Sequence, residues 1–252
     1  MYILLLLEKK ELDSYDSYIW QGKDLDFQEG KIILIDKPLG WTSFDVVKKI
    51  RFHVKKKLNL RKIKVGHAGT LDPLATGLLI VCTGRFTKRI NELMGLEKVY
   101  SGTIKIGSTT PSFDLESDID HEFPVDHITD EKITMAAQSL TGPLDQIPPI
   151  FSAIKVNGKR AYKLARKGEE VELKPKPITV HKFQADSTDF PNVSFIINCS
   201  KGTYIRSLAR DLGLELDSGA HLTELRRDEI GSFKTENAHS VDSFISLLNQ
   251  IG

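Results

Sequence analysis

The sequence predicts an α+β fold, a mixed and mostly antiparallel central sheet flanked by helices. Three observations carry this. Lys98 to Ile106 and Val193 to Cys199 alternate apolar and polar residues, whereas the strand Lys31 to Asp36, apolar from Ile32 to Ile35, and Leu78 to Cys82 are short continuous runs. Segments with a helical apolar period are interspersed with these strands along the chain. Hairpin-like alternations recur between them, which favours antiparallel pairing.

A chain of 252 residues, 40% hydrophobic and 27% charged, has an ordinary globular composition and can bury a core as one large domain or two small ones. Its two cysteines, Cys82 and Cys199, lie in apolar runs away from any Cys/His cluster, so core thiols are expected rather than a disulfide or a metal site. No apolar stretch is long enough to span a membrane, and Ile3 to Leu7 is too short for a signal sequence, so a cytoplasmic protein is expected. The net charge of +1 hides a segregated distribution. Nine Lys and Arg residues and no acid lie between Asp45 and Asp72, and a second basic run spans Lys155 to Lys167. Acids gather instead from Asp114 to Glu122. Such segregation suits a polyanionic partner, although each run alone also fits a solvated helix face.

In chain order, residues 1–30 are weakly periodic and read as an N-terminal extension to one domain over 31–252. The strand Lys31 to Asp36 delivers the turn Lys37-Pro38-Leu39-Gly40-Trp41-Thr42-Ser43. Thr42 with Asp45 three residues on forms a capping-box pattern, and the helix behind it buries Val46, Val47, Ile50 and Val54. Then comes Val65-Gly66-His67-Ala68-Gly69-Thr70-Leu71-Asp72-Pro73-Leu74-Ala75-Thr76-Gly77, on which the rest of the chain is centred. Asp72 is the only acid between Asp45 and Glu92. Pro73 biases it toward an extended conformation on a bend, and the following apolar run ties that bend to the core. Asp before Pro is also a common turn and N-cap pair, so the spacing alone leaves a catalytic and a structural carboxylate both open. Neither a G-x-x-x-x-G-K-[ST] nor a G-x-G-x-x-G pattern is present, which sets nucleotide cofactors aside.

The segment GHAGTLDPLATG, followed by Gly84-Arg85-Phe86-Thr87-Lys88, resembles the catalytic loop of the TruB family. These are tRNA pseudouridine synthases that isomerise the T-loop uridine at tRNA position 55. Lys37 to Ser43 resembles the family's K-P-x-G-x-T-S turn, and a helix over 85–94 ending at Gly95 follows the loop. Gly107 to Asp114 matches the family's G-x-x-T-x-T-x-D in part, with Ser112 for a threonine and Ser117 where a glycine is usual. A helix is expected from Asp130 to about Leu140. Gln146 to Gly168 resembles Q-x-P-P-x-Y-S-A-x-K-x-x-G, with Phe151 for the tyrosine, and implies a thumb-like RNA-clasping insertion near 148–176. Ser200-Lys201-Gly202-Thr203-Tyr204-Ile205-Arg206 resembles K-G-T-Y-I-R at the start of a helix that Gly213 should stop, and a last helix starts at Ser240. The resemblance covers roughly four fifths of the sequence, from Lys31 to Phe233, and no residues are left for the C-terminal PUA domain of many bacterial members.

The resemblance implies a pseudouridine synthase fold with a basic RNA-binding cleft. It assigns Asp72 as catalytic residue, as nucleophile or as base, with Arg206 as its partner. It gives Tyr100 as the ring that stacks on the flipped base, where the strand pattern alone allows an ordinary core tyrosine. Tyr204 and Leu225 line the uridine pocket, and His67 fills the gap in the RNA or braces the flipped nucleotide. Lys37, Lys88, Lys155 and Arg160 are expected to contact RNA. Isomerisation moves neither electrons nor phosphoryl groups, so no cofactor and no metal is expected. A glycosidase would want two carboxylates where this loop offers one. The expected partner is the tRNA T-stem-loop, bound by a monomer without a protein partner. A non-catalytic RNA-binding or folding module of the same fold is the alternative; a guide-RNA-dependent relative of the dyskerin kind would need partners and a further C-terminal domain.

Overall fold

The computed structural model describes residues 15–152, 155–156, 159–160 and 173–251. The strands begin with β1 (Ile32–Lys37), β2 (Val65–His67), β3 (Ala75–Thr83), β4 (Lys98–Ile106), β5 (Ser108–Thr109), β6 (His121–Glu122) and β7 (Gly142–Gln146). They continue with β8 (Lys155–Val156), β9 (Lys159–Arg160), β10 (Lys176–Asp189), β11 (Asn192–Cys199), β12 (Ala220–Ile230), β13 (Phe233–Lys234) and β14 (His239–Ser240). The α-helices are α1 (Ser43–Lys57), α2 (Ile90–Met94), α3 (Asp130–Ser139), α4 (Ile205–Glu215) and α5 (Val241–Gln250). The described residues fall into two compact units, one from Met1–Leu96 with Arg226–Gly252 and one from Glu97–Leu225.

In the first unit, β1 pairs antiparallel with β3 and parallel with β14, and β2 pairs antiparallel with β3. The continuous apolar runs in β1 and β3 are explained by burial on both faces. Ile33, Ile35, Leu79 and Val81 pack with Val46, Ile50 and Val54 of α1 and with Phe244 and Leu248 of α5. Ile32, Leu34, Leu78, Ile80 and Cys82 point the other way, toward Phe86, Leu93, Ile230 and Phe233. Trp20 and Phe27, from a stretch with weak periodicity, join the first cluster. The capping box forms as expected, with Thr42 and Asp45 bonding each other's backbone. Burying each apolar side chain of α1 contributes roughly 1.5–3 kcal/mol.

In the second unit, β4, β11, β10 and β7 lie side by side and antiparallel, with Tyr100 opposite Ile197 and Ile178 opposite Leu144. The fold is therefore α+β with mixed, mostly antiparallel pairing, as the sequence predicts. Two local expectations change, and two long strands appear that the sequence reading did not give. Residues 84–89 form a 3-10 turn before α2, because Phe86 is drawn into the core and Thr87 donates to the Gly84 carbonyl at 2.8 Å. Helix α4 runs through Gly213 rather than stopping there. A Cβ at Gly213 would lie 2.5 Å from the Ala220 nitrogen, so the glycine serves close packing. The long strands β10 and β12 were not legible; Pro177 and charged residues break the alternation of β10, and β12 buries His221 and Arg227. Burial pushes the free thiols of Cys82 and Cys199 up to about 12 and about 11. Among the described residues no helix is long and apolar enough to cross a membrane.

Candidate active site

Asp72 sits half-buried in the short connection between β2 and β3, and almost every residue around it is pinned through its backbone. Ser43, in the first turn of α1, donates its hydroxyl to the Leu71 carbonyl at 3.1 Å and accepts the Leu71 N–H at 2.8 Å. The Gly40 N–H donates to the Pro73 carbonyl at 2.9 Å, and the Ala75 N–H to the Asp72 carbonyl at 3.1 Å. Gly77 has φ +100°, and a Cβ there would come within 2.3 Å of the Arg227 carbonyl oxygen. The glycine thus lets the loop's exit strand lie directly on β12.

Arg227 is the residue that sequence reasoning missed. It is 1% exposed. Its Nε donates to the Leu78 carbonyl at 2.8 Å, Nη2 to Gly69 at 3.1 Å and Nη1 to Thr70 at 3.4 Å. One guanidinium therefore holds both limbs of the Asp72 loop. The signal was the second arginine of Leu225-Arg226-Arg227, which occupies an inward position in β12. Its neighbour Arg226 faces differently and makes a bidentate pair with Asp36 at 2.7 and 3.1 Å.

Lys37 departs from its expected contact with RNA. It is fully buried, and its ammonium donates to the carbonyls of Trp41 at 2.6 Å, Pro38 at 3.0 Å and Pro73 at 3.4 Å. A phosphate does not reach an ammonium so enclosed; Lys37 is a brace beneath the loop. Burial brings its pKa from 10.5 down to about 8, with the Asp72 carboxylate opposing and the Arg227 guanidinium assisting. An unfolded lysine keeps its proton up to the ordinary value. Between about 8 and 10.5 the unfolded state therefore binds more protons, and raising the pH stabilises the fold. Relative to Lys37→Met, the wild-type urea midpoint should rise between about pH 7.5 and about pH 9.5. Parallel pH profiles for the two proteins would show that this ammonium is not desolvated.

His67, at the end of β2, is half-buried, and its Nδ1 has no hydrogen-bond partner among the described residues. Burial first, then Arg227, hold its pKa below the ordinary value against a Gly69 backbone hydrogen bond, so the ring is neutral at neutral pH. Lys88 is exposed. Among the described residues no three His, Cys, Asp or Glu side chains converge as a metal site would require.

The remaining expected site residues belong to the second unit. Tyr100 lies buried in β4, and Leu225 is half-buried in β12. Tyr204 caps α4, and its backbone is clamped by Gln146, which accepts the Tyr204 N–H at 2.8 Å and donates to its carbonyl at 3.0 Å. Arg206 is 4% exposed. It donates to the carbonyls of Phe151 at 2.9 Å and Ser112 at 3.2 Å, and its Nε lies 3.6 Å from Asp114 Oδ2. The three segments singled out around Ser112, Phe151 and Arg206 are thus tied together by this one side chain. Ser117, in place of the usual glycine, bonds the Ser112 hydroxyl at 2.5 Å and accepts the Ser112 N–H at 3.0 Å, so the two departures compensate each other. Lys155 and Arg160 sit at paired positions of β8 and β9, Lys159 pairs with Val156, and Lys163, Arg166 and Lys167 lie outside the described residues.

A family model described as the TruB family pseudouridylate synthase (N terminal domain) matches residues 55–205, and one described as the tRNA pseudouridylate synthase B C-terminal domain matches 206–250. A tRNA pseudouridine synthase B of Phocaeicola vulgatus is 54% identical over 226 residues, 90% of this chain and 96% of that protein. Its counterpart from Thermobifida fusca is 45% identical over 84% of this chain and 73% of that protein. Among solved structures, a chain in a Cbf5–Nop10–Gar1 complex is similar at a TM-score of 0.66 and 29% identity, across 89% of this chain and 56% of that one. With half of its sequence shared with curated relatives over nearly their whole length, and with family models matching residues 55–250, this chain belongs to the TruB family of pseudouridylate synthases.

Proposed function

We propose that this chain isomerises the T-loop uridine of tRNA to pseudouridine, with Asp72 as the reacting carboxylate. The observation that carries the reading is the pre-organised loop. A half-buried carboxylate is presented on backbone held at Gly69, Thr70, Leu71 and Pro73 by Arg227, Ser43, Lys37 and Gly40. Pre-paid positioning of this kind is what attack on a sugar or abstraction of its proton requires. The N-glycosidic bond to uracil breaks, the base turns over, and a carbon–carbon bond forms in its place. Atoms and electrons balance within the nucleotide, so no cofactor takes part.

The target base leaves its stack to reach the enzyme, and aromatic contacts replace the lost stacking. Tyr100 is proposed as that platform, Tyr204 and Leu225 as pocket residues, Arg206 as the cation serving Asp72, and His67 as the side chain bracing the RNA. Each of these assignments is tested by its own substitution. Lys88, Lys155 and Arg160 are proposed as phosphate contacts. The chain is proposed to act as a cytoplasmic monomer without a protein partner.

The test is to incubate the purified protein with an unmodified tRNA transcript, without added cofactor, and to map pseudouridine. Product at the T-loop uridine is expected. Tight binding without product at any position would favour a non-catalytic RNA-binding module instead.

A further inference from the structure

Helix α1 carries a feature that burial of its apolar face does not explain. Phe44 is 52% exposed and Phe52 60% exposed on the side away from Val46, Ile50 and Val54. Exposed apolar surface that lines a groove together with polar neighbours can mark an interaction site, and Phe52 and Trp41 both line one here. Lys48 lies between them in sequence, with its ammonium 4.8 Å from the Phe44 ring centroid. Phe52 meets His53 edge to face at 5.2 Å. An open groove of about 490 Å³ runs along this face, lined by Gly40, Trp41, Asp45, Lys48, Lys49 and Phe52.

We propose that this groove binds an unstacked nucleotide of the RNA substrate other than the reacting uridine, which deepens the tRNA reading above and rests on it. Its volume lies in the range that takes a small organic ligand. Trp41 and Phe52 supply rings for a base face, and Lys48 and Lys49 supply charge for the phosphates on either side. Pairing of aromatic rings with lysines is how single-stranded nucleic acid is held without sequence readout. A paired base in a duplex hides its faces and does not meet these rings.

Charge decides between RNA and a protein partner. No acid occurs between Asp45 and Asp72, whereas nine Lys and Arg residues do. Asp45, the one carboxylate lining the groove, is engaged by the Thr42 N–H at 3.2 Å and lies 3.5 Å from the Lys48 ammonium. Burial first, and then the charges of Lys49 and Lys56, hold the His53 pKa below its ordinary value. Location agrees as well. Gly40 lines the groove and bonds the Pro73 carbonyl, one residue past Asp72, so one end of the groove adjoins the backbone of the Asp72 loop.

The experiment measures affinity for an unmodified tRNA transcript and for a fully paired RNA duplex, using Phe52→Ala, Phe52→Tyr and the double variant Lys48→Gln, Lys49→Gln. All three positions are exposed, so the fold should persist. Phe52→Ala should weaken tRNA binding by about 5- to 100-fold and duplex binding by less than about twofold, with Phe52→Tyr close to wild type. The double lysine variant should lower the slope of log affinity against log salt by about 1.5. The single-turnover rate at saturating tRNA should be unchanged in all of them. The proposal is overturned by unchanged tRNA affinity in Phe52→Ala, or by an equal loss on the duplex. It is overturned equally by a wild-type self-association that Phe52→Ala abolishes while tRNA affinity stays the same. Failure of wild-type protein to make pseudouridine would instead defeat the activity reading, and the affinity ratio would still report on the groove.

Discussion

Asp72→Asn should lose isomerisation by about 10⁴-fold or more while keeping its grip on tRNA. Asparagine has the same shape, and the loop is held through main-chain atoms, so the Ser43 and Gly40 contacts with Leu71 and Pro73 survive the substitution. What disappears is a charge that can attack or take a proton. Binding should change by less than about threefold, since a polyanion gains from the loss of a negative group. The check is pseudouridine mapping in single turnover beside anisotropy on the same transcript. Asp72→Glu is the sharper control: it keeps the carboxylate but moves it by about one methylene, and a displacement of that order costs roughly 10²-fold or more. Full product formation by Asp72→Asn would sink the reading.

Arg227→Met carries the second large effect. The substitution keeps much of the volume in β12 but leaves the carbonyls of Gly69, Thr70 and Leu78 without their donor. Each unpaired buried carbonyl costs about 1–3 kcal/mol, so about 2–5 kcal/mol of stability should be lost, with partial relief where water reaches Gly69 and Thr70. Because the same guanidinium sets both limbs of the loop, kcat should fall by about 100-fold with KM for tRNA changed little. Arg227→Lys should fall between the two, since a lysine supplies the charge but not three donors in a planar fork. Urea unfolding and steady-state kinetics on the three proteins separate the outcomes. A kcat within twofold of wild type would show that the loop keeps its shape without Arg227.

Much of the fold could be read before any coordinates. Strands β4 and β11 follow from a two-residue period, β1 from a continuous apolar run, and the capping box of α1 and the start of α5 at Ser240 from helical period and local hydrogen bonding, all of which act over a few residues. Where a residue's role depends on a neighbour outside its own element, the reading failed. Gly213 looked like a helix stop because the nearby residues Gly219 and Ala220 that crowd it come from the following turn and strand. Strand β12 looked polar because the groups that satisfy its Arg227 lie on the Asp72 loop, some 150 residues earlier.

The candidate site divides along the same line. Asp72, its bend and its motif were legible in the sequence, because Pro73 restricts the backbone locally and the motif lies in one continuous stretch. The sequence also determined the segregation of charge along the chain, which depends on residue order alone. Tertiary structure decided what holds the carboxylate still. It turned Lys37 from an expected RNA contact into a buried brace, since the carbonyls of Pro38 and Trp41 in its own turn and of Pro73 in the Asp72 loop converge on its ammonium. It also showed that Arg206 joins three segments far apart in the chain. Buried polar groups must find partners, and which partner each one finds is set by packing at long range.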